Sequence, residues 1–330
     1  MFLSFIIPVY NTEAYLDECL GSMLNQDIPV EDYEIVCVND GSTDGSLRLL
    51  RRYEEKYPNV VVVDQENCGV CKARNAGLAA ARGEYIWYFD ADDYVAANCL
   101  KGLKEKCAST GCDRLVIGNY QFLTGSADPM LENTSWKDSV VWRSILRRAF
   151  LLEHDLWFHY PELTFGEDAL YMFEVKHAAP VTVELPDLLY FHRNRPGSLS
   201  TEASAKMDLI RLRCALREAE ILKGYYEKED GAMVTETANR FMSFLWGSLF
   251  RILLMPAKDA KAFLKECRQK GLYPYPTPRE CTLTRYPDST RTDLLGKLLD
   301  RLYTNLGSPW AYHGMRLIQL IFRMKHSAKK

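Results

Sequence analysis

The sequence predicts an α/β fold, with a doubly wound, Rossmann-like sheet in its first part and helices in its last third. Three observations predict it. Short apolar runs alternate with helical stretches from residue 2 to residue 89, the last run stops abruptly on Asp90, Asp92 and Asp93, and strand-like runs cease after about Ser204. At 330 residues the chain is long enough for one large domain with an appendage, or for two. A boundary is expected between residues 203 and 204.

Phe2–Val9 reads as the first strand, and Thr12–Gln26 carries helical spacing at Ala14, Leu16, Leu20, Met23 and Leu24. Glu34–Val38 is a second strand, followed by a helix over Asp44–Tyr57 that opens at Ser42-Thr43-Asp44-Gly45. Val60–Asp64 is a third strand. Gly69–Ala81 is a helix of small residues (Ala73, Ala76, Gly77, Ala79, Ala80), able to pack close to a sheet. Tyr85–Phe89 is a fourth strand. This alternation predicts a parallel sheet with right-handed crossovers. Beyond Asp93 the pattern loosens. Ala96–Cys107 reads as a helix, Arg114–Tyr120 as a strand, Gly125–Asp138 as a polar loop, and Val140–Leu152 and Gly166–Ala178 as helices. Val181–Leu185 and Leu188–His192 read as short strands. Helices are predicted over Met207–Tyr226, Met233–Leu254, Ala257–Lys270, Asp293–Leu306 and Pro309–Met324, with an extended linker at Tyr273–Pro278.

A net charge of −3 gives no argument for a nucleic-acid partner. The charge is unevenly spread, however. From Arg291 onward there are eight Lys/Arg against two Asp/Glu, a basic tail on an acidic body. Trp310, Met315, Leu317, Ile318, Ile321 and Phe322 lie among Arg316, Arg323, Lys325, Lys329 and Lys330. That mixture suits either a peripheral helix on anionic lipid or a helix packed on the body with a frayed basic end. No run of eighteen apolar residues is present, and no leader pattern precedes the first strand. With ten cysteines in no disulfide-scaffold spacing, the expectation is a cytoplasmic protein with reduced thiols. Cys68-Gly-Val-Cys71 lacks a second pair or a nearby His and reads as incidental.

The chemistry is carried by four loops that the topology brings to one sheet edge, where open α/β sheets bind ligands. They are Pro8-Val-Tyr10-Asn11 with Glu13; Asn39-Asp40-Gly-Ser42; Asn67-Cys-Gly-Val-Cys-Lys72-Ala-Arg74-Asn75; and Asp90-Ala91-Asp92-Asp93. Carboxylates crowded at a strand end repel unless neutralised, and a hard cation, Mg2+ or Mn2+, suits them. Tyr10 offers a stacking face for a base, Asp40 an acceptor for ring N–H and ribose groups, and the glycine turn an approach for phosphates beside Lys72 and Arg74. Taken singly, each loop is also an ordinary turn or helix cap.

In this order the four loops resemble glycosyltransferase family 2, inverting enzymes of the GT-A fold, a mixed-sheet relative of the Rossmann arrangement. The resemblance is strong over residues 1–100 and thinner to about Ser200. It implies that Pro8, Tyr10 and Glu13 contact the nucleoside, that Asp40 reads uracil beside Asn39 and Ser42, and that Arg74 makes a further nucleotide contact. Asp90-Ala91-Asp92 matches the DXD motif, Asp90 near the ribose and Asp92 on the metal, with Asp93 sharing either role. Thr164-Phe-Gly-Glu167-Asp168 resembles the family's Glu-Asp segment, implying Asp168 as general base with Glu167 adjacent. Acids that simply open a helix are the plain alternative. Tyr190-Phe-His192-Arg193-Asn-Arg195 resembles a basic strand end, with Arg193 and Arg195 as phosphate contacts and His192 as a phosphate contact or metal ligand.

The implied activity is metal-dependent, inverting transfer from a nucleotide sugar, a UDP-sugar foremost, to a hydroxyl of a saccharide or lipid-linked saccharide in surface polysaccharide synthesis. A nucleotidyltransferase would open with a Gly-rich, basic phosphate loop after its first strand, which Pro8-Val-Tyr-Asn-Thr-Glu is not. A non-catalytic nucleotide-sugar-binding protein would fit the same residues without turnover.

Overall fold

The computed structural model describes residues 1–122, 139–193, 205–228, 257–272 and 313–314. Two compact units partition the chain, residues 1–202 and 203–330.

The first unit is built on an eight-stranded sheet in the order β3-β2-β1-β4-β7-β6-β8-β5. Its first half is parallel: β1 (Leu3–Val9) lies between β2 (Tyr33–Asp40) and β4 (Tyr85–Tyr88), and β3 (Val60–Gln65) forms the edge beyond β2. The burial patterns explain these positions. All eight residues of β2 and all four of β4 are buried, as strands covered on both faces require, whereas β3 alternates as an edge strand does. One face of the sheet packs on α1 (Glu13–Leu24), α2 (Ser46–Lys56) and α4 (Leu100–Thr110), through Leu16, Leu20, Met23, Leu49, Leu50, Leu100 and Leu103. The other face packs on α3 (Val70–Ala80), α5 (Arg148–Glu153) and α6 (Glu167–His177). The small residues of α3 serve their expected purpose: a β-carbon at Gly77 would lie 2.3 Å from Ile6 Cγ2 on β1.

The second half of the sheet departs from the sequence reading. Val140–Leu152 is not a helix but a 3-10 turn (Val141–Arg143), strand β7 (Ser144–Arg147) and the short α5. β7 pairs antiparallel with both β4 and β6 (Arg114–Phe122), and Val141–Leu146 is buried at every position, the signature of an internal strand. Arg143 concealed that run. Its guanidinium is buried because Nε and Nη2 donate to the Ile117 carbonyl at 3.0 and 2.7 Å. The two short strands after residue 181 are one strand, β8 (Thr182–His192), parallel to β6 with register shifts around Asn119 that accommodate Pro186. A two-residue strand, β5 (Tyr94–Val95), follows the carboxylates directly and pairs antiparallel with β8.

The second unit contributes α7 (Ala205–Lys228) and α8 (Ala257–Gln269). Lys270 at the end of α8 pairs with Glu220 of α7. No helix among the described residues is long and apolar enough to cross a membrane. The expected loop at 125–138, the helices over 233–254 and 293–306, the linker at 273–278, Arg195 and all of the 309–324 helix but residues 313–314 lie outside the described residues.

Candidate active site

The strand ends deliver the four loops to one edge, and backbone-to-side-chain bonds knit them together. Asn11, held at φ 52°, accepts from the Thr43 N–H at 2.7 Å, while the Asn11 and Thr12 N–H groups donate to Ser42 Oγ and Ser46 Oγ, each at 3.1 Å. Glu13 accepts from the Gly45 N–H at 2.8 Å and lies 3.2 Å from Arg48 Nη2. Its carboxylate thus braces the start of α2. Tyr10 stands exposed, its ring presented to solvent. Pro8 lies half-buried at the end of β1.

Asp40 is buried at the end of β2, where it accepts from the Cys68 and Gly69 N–H groups, both at 2.9 Å, and from Gln65 Nε2 at 2.7 Å. The glycine-turn donors expected to meet phosphate are therefore directed at Asp40 here. Gly41 makes this approach possible, because at φ +68° a β-carbon would lie 2.6 Å from the Asn67 nitrogen. Asn39 donates to Asp64 at 2.7 Å and accepts from the Ser42 N–H at 3.3 Å. Lys72 is exposed on the first turn of α3.

The carboxylate loop divides its labour. Ala91 is buried, and Asp93 is entirely so. Asp93 accepts from the Tyr190 hydroxyl, from the Arg193 N–H at 2.7 Å, and shares a 2.9 Å bond with His192 Nδ1. Both of its oxygens are thereby committed to protein. Burial works to lower the His192 pKa, but the bond to Asp93 and the charges of Asp93, Asp90 and Asp92 outweigh it and raise the pKa. Trp142 stacks on Tyr190 at 4.2 Å and on His192 at 5.9 Å. Arg193 donates from Nε to the Asp92 carbonyl at 2.9 Å, pairs with Glu18 and lies 5.3 Å from the Tyr15 ring centre. Sequence reasoning gave no role to Tyr190, Trp142 or Glu18: Tyr190 entered only as the start of the basic strand end, and nothing in the sequence pointed to the other two.

Across from this loop, Gly166 in the left-handed region (φ 83°) starts α6, so Glu167 and Asp168 lie on its first turn. Arg74 from α3 reaches both: Nη1 is 2.5 Å from Asp168 Oδ1 and 3.0 Å from Glu167 Oε1, and Nη2 is 3.5 Å from Asp90 Oδ1. Burial raises the Asp90 carboxyl to about 8, with Arg74 opposing and Asp93 and Asp92 reinforcing. Burial likewise raises Glu167 to about 7, with the Asp168 charge adding to it. The Val141 N–H approaches Asp168 Oδ2 at 3.4 Å. Residues distant in sequence thus form one strip: Asp92, Asp90, Arg74, then Glu167 and Asp168.

No group of three or more His, Cys, Asp or Glu side chains among the described residues forms a cage for a metal ion. With Asp93 and His192 committed to each other, the carboxylates fit an ion that draws most of its oxygens from a bound diphosphate and water.

A protein-family model described as glycosyl transferase family 2 matches residues 4–160. That match spans just under half of the chain and agrees with the family that the four loops resemble. It is 30% identical over 218 residues to the uncharacterized glycosyltransferase EpsJ of Bacillus subtilis, covering 60% of this chain and 62% of EpsJ. It is 28% identical over 258 residues to the poly(ribitol-phosphate) beta-N-acetylglucosaminyltransferase TarS of Staphylococcus aureus, covering 74% of this chain and 45% of TarS. The chain spans less than two thirds of the length of these curated relatives. Among solved structures, S. aureus TarS 1-349 in complex with UDP-GlcNAc is similar at a TM-score of 0.57 and 25% identity, over 83% of this chain and 93% of that one. The mannosyltransferase PcManGT of Pyrobaculum calidifontis, in complex with GDP-Man and Mn2+, shares the fold at a TM-score of 0.54 and 16% identity, over 97% of this chain and 87% of that one. The fold is of the GT-A type.

Proposed function

We propose that this protein is a family 2 glycosyltransferase that moves a sugar with inversion from a UDP-sugar to a hydroxyl of a saccharide or lipid-linked saccharide in surface polysaccharide synthesis. The observation that carries the reading is the strip joining the carboxylates after β4 to the acids opening α6 through Arg74. Donor-side and acceptor-side chemistry need such proximity. The likeness to TarS, whose structure holds UDP-GlcNAc, supports the UDP assignment.

In this reading Tyr10 stacks on the base beside Pro8, Asp40 and Asn39 face the nucleoside, and Lys72 and Arg193 lie near the diphosphate. Mn2+ or Mg2+ would be held by Asp92 with Asp90 beside it, and when bound would neutralise the leaving diphosphate. Asp168 takes the proton of the acceptor hydroxyl as that oxygen attacks the anomeric carbon from the face opposite the diphosphate, the outcome being inversion. Glu167, adjacent on the first turn of α6 and 3.0 Å from Arg74 Nη1, is the second candidate for base. The enzyme would work in the cytoplasm, its basic C-terminus a peripheral contact for the inner membrane face.

The test is a binding panel of UDP, GDP, CMP and dTDP sugars with and without Mn2+. UDP-sugar binding that requires Mn2+ is expected, lost in Asp92→Ala. Asp168→Asn is expected to keep that binding and to lower UDP release by about a thousandfold, within the range of general-base loss. Full turnover by Asp168→Asn would overturn the base assignment.

A further inference from the structure

The family resemblance implies that Arg74 touches the donor nucleotide. The geometry gives it a different role, and we infer that Arg74 is a positioning residue, which holds Asp168 in place for proton abstraction and ties it to the donor-side carboxylate Asp90. The inference rests on the reading of Asp168 as the base.

Four observations carry it. The Arg74 side chain is only 4% exposed, too enclosed to serve as an open arm for a phosphate. Both terminal nitrogens are already directed at carboxylates, Nη1 at Asp168 and Glu167 and Nη2 at Asp90. The Phe158 ring underlies the guanidinium, 5.1 Å from Cζ, and fixes its plane. Finally, α3 is seated too tightly to swing the arginine outward: Ala73 and Gly77 lie buried against the sheet, Gly77 within reach of Ile6 and Val38.

One cation facing three carboxylates has a directional consequence. With Arg74 absent, Asp90, Glu167 and Asp168 would lose the donor they share, and nothing would hold their carboxyl groups at that spacing. The guanidinium fork sets their separation, and an ammonium cannot reproduce that geometry.

The experiment compares wild type, Arg74→Lys and Phe158→Leu. Affinity for UDP with Mn2+ is measured by calorimetry, and kcat and KM for UDP release are measured with UDP-GlcNAc and Mn2+. A positioning role predicts that Arg74→Lys loses about a hundredfold in kcat, the scale of misplacement by about an ångström, while UDP affinity and KM stay within about threefold. Phe158→Leu keeps every charge and loosens the guanidinium, so a kcat loss of about tenfold with unchanged UDP affinity is expected even where the lysine variant fails to fold. UDP affinity and KM weakening together by about tenfold or more in Arg74→Lys, with kcat retained, would overturn the inference and return Arg74 to the donor. An unchanged kcat in both variants would overturn it as well. The underlying reading fails separately: Asp168→Asn at full turnover removes the base whatever Arg74 does. A wild type that neither binds UDP nor releases it from UDP-GlcNAc removes the donor and this inference with it.

Discussion

Asp93 shows how little a motif says about the work of its members. Three carboxylates in four residues invite assignment to one metal, yet Asp93 has no exposed surface and spends its oxygens on Tyr190, His192 and Arg193, 97 to 100 residues away. Asp93→Asn would turn an amide N–H toward at least one of these donors. It is expected to destabilise the protein by about 3 kcal/mol, the cost of breaking a buried charged pairing, in urea unfolding with EDTA present. Unchanged stability in EDTA would point instead to a role only with metal bound. The motif itself was legible because it ends an apolar strand. Its division of labour was not, because the deciding partners are remote in sequence. Arg74 is the same case: Lys72 and Arg74 look alike in the sequence, but only Arg74 faces inward and meets Glu167 and Asp168, 93 and 94 residues on.

At the scale of elements, the parallel half was legible almost strand for strand. Each strand there is a mainly apolar run, each connection carries a helix, and small residues in α3 announce close packing. The antiparallel half was not, since Arg143 and Ser144 break the apolar run that leads into β7, and β7 owes its conformation to β4 and β6 on either side. Asp113 joins three pieces of that half. It accepts from Arg147 Nε of β7 at 2.9 Å and from the Val181 N–H, just before β8, at 2.8 Å, and it immediately precedes β6. Burial works to raise its pKa, but those bonds and the Arg147 charge prevail and hold it below the usual 3.8. In the folded state it therefore binds its proton less tightly than when unfolded, so its contribution is complete above about pH 4 and lost as pH falls through the folded value. Asp113→Asn is expected to cost about 2 kcal/mol at neutral pH and to flatten the acid limb of the stability curve, read by urea unfolding between pH 2.5 and 7. An acid limb identical to wild type would show that other carboxylates set it.

For the whole molecule, the topology has a consequence for synthesis. Translation delivers β1 through β4 first, but the strand that covers the outer edge of β4 is β7, and the donors that satisfy Asp93 lie at the end of β8. A chain stopped at residue 110 would therefore bare the apolar edge Tyr-Ile-Trp-Tyr beside an unpartnered buried acid. Such a fragment is expected to pellet or bind the dye ANS, whereas residues 1–203 remain soluble and protected in hydrogen exchange. A soluble, protected 1–110 fragment would show that the parallel half stands alone. While the ribosome has yet to supply those last strands, the nascent chain is an adhesive half-sheet, and a pause in that interval would leave it dependent on a chaperone for its escape from aggregation.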